Sequence, residues 1–156
     1  MESNLKINKV ELRNLRMEDY DQLAGSFKRI YADHDVFWTH AQIKKLITIF
    51  PEGQVVIVVD DIHPDYRGLR LGRRMYEYRK ELCEKLNLKA IMFGGRIPNY
   101  HKYADTMRPK EYIEKVRSRE IYDPVLTFQL SNDFHVRRVI RNYLPNDEES
   151  KHCATL

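Results

Sequence analysis

Cysteine is scarce in this chain, with two residues among 156. Cys83 lies inside an amphipathic stretch and Cys153 in a polar one, so neither a disulfide framework nor a cysteine metal site is indicated. No apolar run approaches the roughly 20 residues of a membrane span. The first residues, with Glu2 and Asn4, lack the apolar core of a secretion signal. The expectation is a cytoplasmic protein. His34 and His40 lie six apart, and no His-x-x-x-His pair falls on any predicted helix, so no metal is expected. Nucleophilic catalysis has no foothold either, since there is no Gly-x-Ser-x-Gly elbow and no cysteine–histidine signature. Internal repeats and low-complexity segments are also absent.

A strong charge bias is missing too. Lys and Arg number 27 against 23 Asp and Glu, a net charge of +4. That balance suits an anionic ligand and is too mild to establish nucleic-acid binding. Leu5–Leu15 carries several basic residues without the aromatic interleaving of a base-stacking platform.

What is present is enough for one domain with a core. The 10 Tyr, 6 Phe and 1 Trp argue against disorder. Val10–Leu15 reads as a strand, and Met17, Tyr20, Leu23, Ala24, Phe27, Ile30 and Tyr31 follow helical spacing. Thr39 and Gln42 form a capping box, with Trp38 and Ile43 at the positions of a hydrophobic staple, and Pro51 closes that helix. The β-branched run in Gln54–Val59 predicts a buried strand. A long helix follows over Leu69–Leu86, then a second buried strand at Leu88–Phe93. A helix is expected at Pro109–Arg119, with proline in its first turn. Alternation predicts a strand at Val125–Leu130, and Asn132 or Asp133 caps a last helix carrying Val136, Val139, Ile140 and Tyr143. The domain is expected to span 1–145, with 146–156 as a polar tail.

The most informative stretch is His63-Pro64-Asp65-Tyr66-Arg67-Gly68-Leu69-Arg70-Leu71-Gly72-Arg73-Arg74, which leads straight into the long helix. A helix start has unpaired backbone N–H groups and partial positive charge. Glycines let an anion come close to the backbone. Such a loop suits a phosphorylated ligand. It is neither a P-loop, lacking Gly-Lys-Ser/Thr, nor a G-x-G-x-x-G fingerprint. A basic turn that merely caps a helix is the plainer alternative.

The stretch resembles the pyrophosphate loop of the GNAT superfamily of N-acetyltransferases, in which Arg/Gln-x-x-Gly-x-Gly/Ala follows a Pro-x-Tyr/Phe-Arg-Gly segment. Arg67 and Gly72 match the first and last motif positions, and Arg70 stands where the fourth-position glycine is usual. The resemblance implies an α/β fold with a mixed central sheet flanked by helices. It implies acetyl-CoA or another acyl-CoA as co-substrate, with Arg67, Gly68, Leu69, Arg70, Leu71, Gly72 and Arg73 around its pyrophosphate and Arg74 adding charge. The acceptor implied is a primary amine whose identity residues 17–50 do not specify. The general acid of such enzymes is often a tyrosine after the fifth strand, which makes Tyr100 and Tyr103 the candidates. His63, Asp61 and Glu111 are candidate bases.

The family also has a two-strand hairpin before the phosphate loop. Only Asp60, Asp61 and Ile62 separate Val59 from His63, too few for two strands of ~5–6 residues and a turn. Either the third and fourth strands are missing from this protein, or the sequence joins segments across an absent stretch. The segments Lys89–His101 and Ile121–Leu130 resemble a branch in which an acetyltransferase-like domain precedes a nitrilase-like hydrolase. A homodimer or a fusion to such a hydrolase is compatible with this. The alternatives are a non-catalytic CoA-binding domain of the same fold and, further off, a basic nucleic-acid module.

Overall fold

A computed structural model of the protein describes residues 10–30, 38–59 and 70–156. The chain divides into two compact units, Met1–Asn87 and Leu88–Leu156.

In the first unit, β1 (Val10–Asn14) pairs antiparallel with β2 (Val55–Val59), in a register running from Val10↔Val59 to Asn14↔Val55. The five β-branched residues of β2 suit a pleated surface. Arg13 reaches from β1 to Asp19 with two hydrogen bonds of 2.8 and 2.7 Å. This fixes the 3₁₀ turn Met17–Asp19 that opens α1 (Tyr20–Ile30). The Arg13 bonds hold the Asp19 carboxyl below its usual range against the opposing effect of burial.

Helix α2 (His40–Ile49) begins as its capping box dictates: Gln42 N–H donates to Thr39 Oγ1 at 3.3 Å, and Thr39 N–H donates to Gln42 Oε1 at 2.7 Å. Ile43 is buried, whereas Trp38, the expected staple partner, stays 57% exposed. Helix α3 (Leu71–Lys85) follows the expected amphipathic stretch, and its Tyr78 hydroxyl donates to the Glu52 carbonyl at 3.3 Å. The hairpin question falls on residues 60–69, outside the described residues.

The second unit has its own core of Ile97, Tyr100, Tyr112, Ile113, Val116 and Leu126, with Cys153 against it. Helix α4 (Pro109–Arg117) supplies three of these from one face and carries proline in its first turn. Three two-residue strands, β3 (Gly95–Arg96), β4 (Val139–Ile140) and β5 (Ala154–Thr155), form an antiparallel sheet in the order β3-β5-β4.

The α/β class holds: among the described residues there are five helices and two small antiparallel sheets. Four local expectations are corrected. Val125–Leu130 is not a strand but lies within helix α5 (Pro124–Leu130). Asp123 caps it and Pro124 opens it, and the buried residues Leu126 and Gln129 are spaced by a helical step. Leu88–Phe93 joins no ladder among the described residues, and Leu88 and Met92 are exposed. The last predicted helix is replaced by β4, which follows an Asp133 at φ 64° and precedes an Asn142 at φ 52°. Both residues are types that accept left-handed backbone.

The expected tail, 146–156, is the best-integrated of these. Its β5 is the central strand, pairing Gly95↔Thr155 on one side and Val139↔Thr155 on the other. Arg96 binds Asp147 through two hydrogen bonds of 2.8 and 2.6 Å, and the buried Ser150 hydroxyl accepts the Ile97 N–H at 3.1 Å. Polar composition misleads here because the polar groups are paired with the unit's interior instead of with water.

Candidate functional site

The start of α3 belongs to the first unit. Arg70 precedes the helix in the left-handed region, at φ 50° and ψ 35°, and makes no side-chain cap. Its carbonyl accepts the Arg74 N–H at 3.0 Å. Leu71, Gly72 and Arg73 occupy the first turn, where helix geometry leaves the amides without an intrahelical acceptor. No acidic residue sits in that turn. Gly72, Arg73 and Arg74 are exposed, and Arg73 Nε also bonds Glu77 Oε1 one turn on, at 2.9 Å. First-turn amides, a helix dipole and three arginines make this end suited to a phosphate group. Arg67, Gly68 and Leu69 lie outside the described residues, as do His63 and Asp61.

Left-handed backbone is open to glycine and costs other residues about 1–2 kcal/mol, a cost that Arg70 bears at φ 50°.

Tyr100 and Tyr103 belong to the second unit, in and just after the 3₁₀ turn Pro98–Lys102. Tyr100 is 5% exposed, and its hydroxyl donates to the Met107 carbonyl at 3.0 Å. Burial, with a smaller contribution from Cys153 and against an opposing one from Arg141, pushes this phenol above its ordinary pKa. Tyr103 is half-buried, its ring 5.5 Å from that of Tyr112. A shallow cleft of about 390 Å³ beside Tyr100 is lined by Asp105, Thr106, Arg108 and Glu111 among others.

Asp123, which no sequence pattern above marks, is fully buried and joins three elements. Its readable signal is the dipeptide Asp123-Pro124, a helix-capping acid before a first-turn proline. Among the described residues, no group of three or more His, Cys, Asp or Glu side chains could hold a metal, and no helix is long and apolar enough to cross a membrane.

The chain is similar to two proteins of Bacillus subtilis (strain 168). It is 56% identical to one named "Probable hydrolase YhcX" over 95 residues, which are 61% of this chain and 18% of that protein. It is 37% identical to one named "Uncharacterized N-acetyltransferase YkwB" over 107 residues, which are 68% of this chain and 47% of that protein. The chain thus spans less than half the length of either relative. No family model and no solved structure matches it.

Proposed function

We propose that the chain is an acyl-CoA-dependent N-acyltransferase domain that moves an acetyl group from acetyl-CoA to a primary amine. The observation that carries this reading is the start of α3, with no acidic residue in its first turn and exposed arginines. Similarity to YkwB supports the transferase class. In this reading Arg67, Gly68, Leu69, Arg70, Leu71, Gly72 and Arg73 hold the pyrophosphate. The neutral amine attacks the thioester carbonyl, the carbon–sulfur bond breaks, and the amine proton leaves to a base or water. The departing thiolate takes a proton from an acid or from water. Tyr100 and Tyr103 are the acids that the family resemblance implies, and the Tyr100 hydroxyl is donated to the Met107 carbonyl. The domain acts in the cytoplasm, and similarity to YhcX supports a relative of the hydrolase-fused branch.

Calorimetric titration with acetyl-CoA and with desulfo-CoA tests the binding step. Micromolar binding of both, lost in Gly72→Trp, is the expected result; no binding by folded protein overturns it. A second reading, a CoA-binding domain without turnover, is favoured by the strained Arg70 and the committed Tyr100 hydroxyl. Turnover against a broad amine panel separates the two.

A further inference from the structure

The sheet of the second unit has two edge strands, β3 and β4, and their charges are handled differently. On β3, Arg96 is neutralised by Asp147 and Glu149, at 2.6 and 2.9 Å. The β4 edge carries Arg137, Arg138 and Arg141, all exposed, and among the described residues none of the three has an acidic partner within 4.0 Å. The acids of the neighbouring C-terminal segment are engaged elsewhere: Asp147 and Glu149 with Arg96, and Glu148 with Lys151 at 3.7 Å and His152 Nε2 at 3.1 Å. Backbone groups are open on the same edge. The Leu156 N–H donates to the Arg138 carbonyl at 2.9 Å. By the alternation of an antiparallel ladder, Arg138 and Ile140 then turn their backbone groups to β5, and Val139 and Arg141 turn theirs away. Among the described residues no hydrogen bond closes on those outward N–H and carbonyl groups. Side chains alternate across the strand, so Arg137 and Arg141 flank Val139 on the face that packs against the core, and Arg138 and Ile140 share the other.

We propose that the outer edge of β4 takes up an extended acidic polypeptide, which adds to the sheet as a further antiparallel strand. Each part of such a ligand answers a group left unmatched on this edge. Its backbone meets the outward groups of Val139 and Arg141, and its carboxylates meet the three arginines. A second copy of the chain is disfavoured, because two such edges side by side would set arginine against arginine. A nucleic acid would answer the charge and leave the row of backbone groups unused. Charge on an edge strand also guards against unwanted pairing, and that plainer role predicts no affinity for an acidic peptide. The proposal uses residues of the second unit alone and stands apart from the acyltransferase reading.

The probe is a fluorescein-labelled peptide with the core Glu-Val-Val-Glu-Glu between serines. Laid antiparallel, it sets glutamates opposite Arg141, Arg138 and Arg137 and valines opposite Ile140 and Val139. Anisotropy titrations with the full chain should show saturable binding that weakens as salt is raised. An exposed ion pair is worth up to about fivefold in Kd. Arg137→Gln, Arg138→Gln and Arg141→Gln should therefore each weaken binding by about two- to fivefold, and the triple variant by about 10- to 100-fold. As exposed substitutions they should keep the wild-type melting midpoint. A scrambled core, Glu-Glu-Glu-Val-Val, should bind about fivefold more weakly, since it leaves two arginines opposite valine. In the complex, hydrogen exchange should slow at residues 137–143 and stay unchanged in α4. No binding by folded wild type, a triple variant that binds as wild type does, or a lack of protection at 137–143 overturns the inference. So does a single-stranded oligonucleotide of equal charge that displaces the peptide at lower concentration than unlabelled peptide, which would assign the edge to nucleic acid.

Discussion

Replacing Asp147 by asparagine should loosen the second unit. Asp147 is 4% exposed, takes two short bonds from Arg96 and accepts the Ser150 N–H on Oδ1 at 3.3 Å. Removing one partner of a buried ion pair costs about 3–5 kcal/mol. Here the Arg96 side chain keeps 27% of its exposure and a second partner, Glu149 at 2.9 Å. Solvent and Glu149 recover part of the loss, leaving about 2 kcal/mol. In a unit of this size that lowers the melting midpoint by about 8–16 °C. Glu149→Gln, whose side chain is 62% exposed, should cost under about 1 kcal/mol.

The acid limb of the same experiment is sharper. Burial favours the neutral form of Asp147, but the bonds from Arg96 and Ser150 outweigh it and hold the carboxyl below its ordinary range. A folded-state pKa below the unfolded value, about 3.9, means the stabilisation is complete above that value. It is lost as pH falls through the folded value. Wild type and Asp147→Asn should thus differ at pH 7 and draw together as pH falls below about 3.9. Circular dichroism melts at pH 7 and in acid decide it. Coincident melting at pH 7, or a gap that widens in acid, refutes the reasoning.

Leu126→Ala empties a core position that is 1% exposed and should cost about 2–5 kcal/mol, read as a lower urea midpoint. Arg70→Gly relieves the left-handed residue at φ 50°. Relief of about 1–2 kcal/mol, less glycine's entropy cost of about 0.5–1, should raise the melting midpoint; a lower midpoint contradicts that backbone assignment. The two thiols should separate under Ellman's reagent. Burial, against an opposing effect of Arg141, pushes the Cys153 thiol up, so it should react at least about tenfold more slowly than the half-buried Cys83 until the protein unfolds.

Where a signal is local, the sequence is readable. The Thr39–Gln42 box, the β-branched run of β2 and the long apolar stripe of α3 each need only neighbouring residues to declare themselves. Val125–Leu130 misleads because six residues of alternation cannot outvote a capping acid and a first-turn proline just upstream. Residues 146–156 read as polar because their partners, Arg96 and Ile97, lie far back in the chain. The candidate site divides the same way. The helix start at Leu71–Arg73 is legible as an anion-binding end. The burial of Tyr100 and its bond to Met107 are not, since ten tyrosines give composition no means of singling one out.

The central place of β5 also bears on how the second unit forms. Thr155 bonds the Gly95 carbonyl from 60 residues away, at 3.2 Å. Closing a contact of that span comes late and slowly, because chain entropy is lost before the contact rewards it. Until Ala154 and Thr155 arrive, β3 and β4 have no strand between them. The unit's helices can take shape from local signals, but its sheet must wait for a single two-residue strand. The window in which this half of the chain is open to misassembly is therefore set by that one late closure.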